Sequence, residues 1–72
     1  MIKVYTSGLF HYEVSGDREQ EAAAILNEKI DFYDRALGYG HISSDSHTES
    51  IIGFIAQLES EYSVKIVSEI GA

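Results

Sequence analysis

Near the start of the chain, apolar and polar residues alternate in two short stretches, IKVY and LFHYEV. This pattern is typical of β-strands that bury one face, and the residues TSG between the stretches predict a hairpin turn. A two-residue loop would set apolar residues opposite polar ones along the whole ladder. A three-residue loop places Val4 opposite Phe10 and Tyr5 opposite Leu9, and Gly8 suits its left-handed position. We therefore expect the three-residue loop.

This register gives the hairpin one apolar face and one mixed face. The apolar face carries Ile2, Val4, Phe10, Tyr12 and Val14, and the mixed face carries Lys3, Tyr5, Leu9, His11 and Glu13. A Tyr5–Leu9 pair either stabilises an exposed hairpin or forms the centre of a contact surface, because apolar groups ringed by polar ones recur at interfaces. Tyr5, Leu9 and His11 are therefore candidate partner-binding residues.

Two amphipathic helices are predicted in the middle of the chain. In the first, apolar residues recur every three or four positions at Ala22, Leu26, Ile30, Tyr33 and Leu37. Asp17 and Gln20 form a capping-box pattern at its start, and Gly38 marks its end. Residues 38–47 read as a loop.

The second helix is predicted to follow a capping box at Ser46 to Glu49. Its stripe consists of Ile51, Ile52, Ile55, Leu58 and Tyr62. Gly53 is expected to permit close packing against the first helix, since glycine inside a helix otherwise costs about 1 kcal/mol relative to alanine. Beyond Tyr62, a β-branched run with Val64 and Ile66 on one side predicts a last strand.

The resulting order, β-β-α-α-β, predicts an α+β fold: a two-layer sandwich with a three-stranded sheet and both helices packed on one face. The last strand can pair with either of the first two, so the strand orders 1-2-3 and 2-1-3 both remain open. At 72 residues the chain has room for one compact domain, residues 1–72. It contains no cysteine, which excludes disulfides and thiolate metal sites.

Charge narrows the choice of partners. The formal net charge is −7, so phosphate backbones and anionic lipids would be repelled. We therefore expect no direct binding of nucleic acid and no membrane association, and a partner with a basic surface is favoured. No signal-peptide pattern and no apolar stretch of bilayer length is visible, which favours a cytoplasmic protein.

Catalytic and metal-binding patterns are weak. His41, Asp45 and His47 lie near several serines, but a nucleophilic triad needs a scaffolded turn and an oxyanion hole. The same residues with Glu49 could ligate zinc, although their spacing is not that of a known site. We expect no enzyme activity, no cofactor and no metal.

The strongest electrostatic feature is a group of carboxylates around the first predicted helix, which we call the acidic ridge. It consists of Glu19, Glu21, Glu28, Asp31 and Asp34. These residues are either a docking surface or a solvated helix face.

In size, acidity and lack of cysteine, the chain resembles the inhibitor proteins that phages use against host defence, such as anti-CRISPR and anti-restriction proteins. The resemblance implies an inhibitor that occupies a basic nucleic-acid-binding groove on its target, in the host cytoplasm. It rests on size and charge, so no site residue follows from it. The alternative is a homodimeric adaptor or assembly domain that uses the open sheet face.

The weak ligand pattern leads to a first prediction, that no zinc site forms. Zinc titrated into the protein should leave the melting temperature unchanged, because a ligand stabilises only the state that binds it. A large, saturable stabilisation at equimolar zinc would contradict this.

Overall fold

The computed structural model describes residues 1–5 and 10–70, which form three strands and two helices. The elements in chain order are β1 (Ile2–Tyr5), β2 (Phe10–Gly16), α1 (Glu19–Gly38), α2 (Ser44–Tyr62) and β3 (Val64–Ile70). The strands form one antiparallel sheet in the order β1-β2-β3, and both helices pack on its apolar face. The predicted α+β fold is confirmed, and β3 pairs with β2.

The register of the hairpin differs from the predicted one by two residues. Val4 pairs with Tyr12 and Tyr5 pairs with His11, so the predicted Val4–Phe10 and Tyr5–Leu9 pairs are wrong. A shift of two keeps every side chain on its predicted face, which is why the alternating pattern could not distinguish the two registers. Residues 6–9, including Leu9 and the predicted loop, lie outside the described residues.

The observed register completes an apolar row across the whole sheet. Val14 pairs with Ile2 on one side and with Ile66 on the other. Val14 has no exposed surface, and Leu26 and Leu58, in the same core cluster, are 0% and 2% exposed. The row aligns the strands beneath the two helices and sits within the single core of the domain.

The two predicted apolar stripes are confirmed in large part. α1 buries Ala22, Ala23, Leu26 and Ile30, and α2 buries Ile51 and Leu58. The prediction for Ile52 is wrong, because its side chain is 62% exposed. Ile52 lies about 100° around the helix from Ile51, off the line that the other apolar residues follow. Phe54 is half-buried and packs against the core instead.

The starts of both helices differ from the predicted capping boxes. Arg18 occupies the N-cap of α1 without a side-chain hydrogen bond, so the expected box from Asp17 does not form. α2 begins earlier than predicted, and its cap is Ser43, whose hydroxyl accepts the Ser46 backbone N–H at 3.1 Å. The predicted loop over residues 38–47 is therefore shorter, and the helices are joined by residues 39–43.

The end of α1 is a Schellman motif. Gly38 is the last helical residue, but the left-handed position belongs to Gly40, with φ +76°. The Gly40 N–H donates to the Leu37 carbonyl at 3.1 Å, and the His41 N–H donates to the Ala36 carbonyl at 2.8 Å. These two bonds satisfy carbonyls that the helix end leaves free, and they turn the chain towards α2.

Two other glycines have opposite surroundings. Gly16 has φ +143°, and a Cβ there would lie 2.6 Å from the Ser63 carbonyl oxygen. Gly53 is exposed in the middle of α2, and a Cβ there would meet nothing within 4 Å. The expectation that Gly53 allows close helix packing is therefore wrong.

Neither described helix combines the length and the apolarity that a bilayer crossing requires.

The surroundings of Gly53 predict that Gly53→Ala stabilises the protein by about 1 kcal/mol, because alanine restricts the unfolded chain without a clash. In a domain of this size that corresponds to roughly 4–8 °C in melting temperature. Gly16→Ala is the matched control and should destabilise the fold, since it combines backbone strain with a steric clash. Thermal melting of both variants is the measurement. Destabilisation by Gly53→Ala would contradict the prediction that a side chain at position 53 meets no other atoms.

Candidate protein-binding surface

Three carboxylates of the acidic ridge lie on the exposed side of α1. Glu21 and Asp31 have side chains 61% exposed, and Glu28 is also exposed. Glu28 follows Glu21 by two helical turns and precedes Asp31 by three residues, so the three lie along one side of the helix. We call this side the outer face of α1.

The other two ridge carboxylates are less exposed and contact groups on other elements of the fold. A Glu19 oxygen lies 2.6 Å from the Met1 amino nitrogen, which ties the start of α1 to the start of β1. The hydrogen bond from this amino group holds the pKa of Glu19 below its ordinary value. Glu19 is 27% exposed, so it contributes less than Glu21 or Asp31 to the free surface.

Asp34 connects the two helices. Its Oδ1 lies 2.7 Å from Nε2 of His47 in the first turns of α2, and the two side chains are 25% and 18% exposed. Burial, and then the charge of Asp34, raise the pKa of the Tyr12 phenol on the sheet. Asp34 therefore lies at the meeting point of both helices and the sheet.

Two of the three outer carboxylates have a cation beside them. Arg18 lies 2.6 Å from Glu21 and holds the pKa of this carboxyl below its ordinary value through a hydrogen bond. Arg35 lies 3.2 Å from Asp31. Among the described residues, Glu28 has no ion-pair partner. Of the three, it is therefore the carboxylate most available to another molecule.

Aromatic side chains stand beside these carboxylates. Phe32, one turn after Glu28, is 62% exposed, and Tyr39 is 76% exposed. They border a groove of about 530 Å³ whose other lining residues include Ala36 and Ile42. The sequence analysis named Phe32 in no surface and placed Tyr39 in a loop, so it missed both. The helical period was the available signal, because it places Phe32 opposite Ile30.

Lys29 does not neutralise Glu28, although it is its neighbour in the chain. Its ammonium lies 5.4 Å from the ring centroid of Phe54 on α2 and 5.7 Å from that of Phe32. These are cation–π distances, and they place the charge between the helices. Lys29 therefore forms no ion pair with Glu28, although its ammonium lies within cation–π distance of Phe32 at the border of the outer face.

A second acidic region lies on α2, outside the predicted ridge. This helix carries four acidic residues and no lysine or arginine. Asp45 and Glu49 are exposed and have no ion-pair partner among the described residues. The sequence analysis missed them because it treated them as cap residues or metal ligands.

The residues considered as metal ligands are not brought together. His47 bonds to Asp34, and the ring of His41 lies 6.1 Å from that of Tyr39. Among residues 1–5 and 10–70, no group of three or more histidines and carboxylates could hold a metal ion.

The open sheet face carries Lys3, Tyr5, His11 and Glu13, as predicted. Tyr5 is 66% exposed, and its ring lies 5.7 Å from that of His11. A Glu13 oxygen lies 3.7 Å from Nε2 of His11, and Val67, opposite Glu13, is 40% exposed. Tyr5 and Val67 are thus on different edge strands with polar residues between them. The candidate residue Leu9 lies outside the described residues.

The position of His47 predicts a structural role for it. His47→Ala should destabilise the protein by about 1 kcal/mol, because it removes a half-buried hydrogen bond between the helices. His41→Ala is the matched control: this histidine is exposed, and a change within about 0.5 kcal/mol is expected. Urea unfolding of both variants is the measurement, and equal effects would show that the Asp34–His47 contact contributes nothing.

No protein-family model matches the chain, and no curated protein or solved structure matches it either. Kinship therefore assigns no role to any of these residues. Their function has to be inferred from the surfaces themselves.

Proposed function

We propose that this protein is a non-catalytic inhibitor that acts in the cytoplasm and binds a basic surface of a target protein through the outer face of α1. The observation that carries the proposal is the combination of exposed carboxylates and exposed aromatic rings on one side of one helix. Glu28 and Phe32 are its centre, and Glu21, Asp31 and Tyr39 extend it along the helix.

This combination suits arginine and lysine side chains. A guanidinium can pair with a carboxylate and at the same time stack on an aromatic face, which a lone carboxylate does not offer. Glu28 and Phe32, one helical turn apart, provide both groups. Aromatic residues are also enriched in the buried centres of protein interfaces, where they contribute much of the binding energy.

The intramolecular ion pairs on this face do not prevent binding. Arg18 is 51% exposed and Arg35 is 73% exposed, and exposed ion pairs add little net stability. A partner cation can therefore replace either arginine at small loss. The unpaired acids of α2 add to the negative field that draws a basic surface towards the protein.

The target class that fits best is a nucleic-acid-binding protein. Its groove is basic because it binds phosphates, and carboxylates held on a rigid helix can occupy the same sites. The protein would then inhibit its target by excluding the nucleic acid. Phage inhibitors of host defence are the class of protein in which such a role is expected.

The adaptor that uses the open sheet face is the less supported alternative. The centre of this surface was predicted to be a Tyr5–Leu9 pair, but Tyr5 pairs with His11 instead. Lys3, Glu13 and Lys65 also point to this face, whose described residues therefore form no continuous apolar centre.

Charge reversal on α1 tests the proposal. Glu21→Lys, Glu28→Lys and Asp31→Lys combined should abolish target binding, chiefly by slowing association, because long-range attraction sets the association rate. Raising the salt concentration should weaken binding of the unchanged protein in the same way. The target is first captured from a bacterial lysate, and association rates are then measured across a salt series with duplex DNA as competitor.

The matched control carries the same change in net charge at other exposed sites, as Asp17→Lys, Glu49→Lys and Glu61→Lys combined. It should retain most of the binding if the outer face of α1 is the site. Equal losses in both variants would mean that only overall charge matters. Unchanged rates in a folded α1 variant would overturn the proposal, and failure of DNA to compete would exclude a nucleic-acid-binding groove as the site on the target.

A further inference from the structure

The two edges of the sheet differ in one respect. On β3, the Ile66 backbone N–H donates to a Glu59 side-chain oxygen at 3.1 Å. Glu59 belongs to α2, so the helix that covers this edge also caps it. Within the described residues no side chain bonds to the backbone of β1 in this way. In this part of the chain, one edge of the sheet is capped and the other is open to a further strand.

The ladder pattern shows which backbone groups of β1 face outwards. In an antiparallel sheet the backbone groups of successive residues point to alternate sides. The Ile66 N–H points away from β2, so its neighbour Val14 directs its N–H and C=O towards Ile2 on β1. The backbone groups of Lys3 and Tyr5 therefore point outwards from the sheet.

Two cavities adjoin along this open edge, between β1 and α1. The first has a volume of about 390 Å³ and lies beside Val4, with Ala23 and Ala24 on its helix side. The second has a volume of about 400 Å³ and lies further along α1. Tyr5 and Asn27 line both cavities, so the two form one groove beside the strand.

The two parts of this groove differ in charge. The first part has no acidic lining residue, whereas three carboxylates and one guanidinium line the second: Glu28, Asp31, Asp34 and Arg35. Two of these carboxylates have partners, since Asp31 lies 3.2 Å from Arg35 and Asp34 lies 2.7 Å from His47. Among the described residues, Glu28 has no ion-pair partner. The second part of the groove, which we call the acidic cavity, therefore has an excess of negative charge.

We propose that this groove binds an extended basic segment of a partner protein, which adds to the sheet as a fourth strand antiparallel to β1. The added strand supplies main-chain partners for the outward groups of Lys3 and Tyr5, and the cavities beside it select its side chains. Charge complementarity identifies the occupant. A lysine or arginine side chain in the acidic cavity is attracted by its carboxylates, whereas an acidic segment is repelled.

The pleat determines which residues of the segment are basic. Side chains on one face line up across strands, so the residue opposite Val4 turns towards α1. The next residue on this face lies about 7 Å further along the strand, which places it beside the acidic cavity. Residues opposite Lys3 and Tyr5 turn to the open sheet face, where Lys3 disfavours a cation. Because the strands are antiparallel, the segment carries its basic residue two positions before an apolar one, with an uncharged residue between them.

A synthetic peptide with this pattern tests the proposal. The probe is acetyl-Thr-Arg-Thr-Val-Thr-Thr-amide, which places valine opposite Val4 and arginine at the acidic cavity. It should bind saturably, with a Kd below about 1 mM, when added to the labelled protein and followed by nuclear magnetic resonance. The Lys3 and Tyr5 amides should exchange with solvent more slowly in its presence. Failure to bind, or binding that leaves these amides unprotected, would overturn the proposal.

Two control peptides separate the backbone contribution from the charge. Methylating the backbone nitrogens of the two threonines that flank valine removes the donors to β1 and keeps every side chain. This peptide should bind at least about tenfold more weakly. Replacing its arginine by glutamate keeps the backbone of the original probe and should weaken binding by a similar factor. Equal binding of the methylated peptide would refute strand addition, and equal binding of the glutamate peptide would refute the role of the acidic cavity.

A pair of protein variants tests the position of the groove. Ala24 is exposed and lines the groove, so Ala24→Arg fills it with a long cationic side chain and should abolish peptide binding. Ala56→Arg makes the same change at an exposed position of α2 and should leave peptide binding unchanged. Equal affinities of the two folded variants would place the peptide elsewhere and contradict the proposal.

This inference does not depend on the proposed function. Glu28 and Asp31 border both surfaces, so their charge reversal does not distinguish them. Phe32 does, because it belongs to the outer face of α1 and does not line the groove. Phe32→Ala should weaken binding to the captured target and leave binding of the peptide unchanged, and loss of peptide binding in this variant would contradict the separate groove.

Discussion

The fold depends on the apolar row that runs across the sheet at Val14. This residue pairs with Ile2 and Ile66, and it belongs to the same buried cluster as Leu26 of α1 and Leu58 of α2. A chain of this size has one small core, so all five elements have to contribute to the same cluster. The helices are thereby confined to one face of the sheet. The remaining surfaces, which are the open sheet face, the outer helix faces and the β1 edge, are what the protein can present to partners.

The element order and the inward faces could be predicted from sequence because they follow from periodicity. The apolar residues of α1 and the alternation in β2 each allow only one buried side. The hairpin register could not be predicted in this way, because a shift of two residues leaves the faces unchanged. In the observed register Ile2, Val14 and Ile66 form one row across the three strands, and this long-range arrangement has no local signal in the sequence. The helix starts were missed for a related reason: Ser43 and Ser46 are both good caps, and only the path between the helices selects Ser43.

The candidate surface was predictable in part. Counting charges correctly located carboxylates on α1, but a count does not show how each one is used. Glu19 and Asp34 bond to Met1 and His47, so two of the five ridge residues belong to the framework. Glu28 has no ion-pair partner among the described residues, and the ammonium of its neighbour Lys29 lies 5.4 Å from the Phe54 ring on the other helix. The sequence thus predicts that the surface of α1 is negatively charged, but only the tertiary contacts show which carboxylates have no partner.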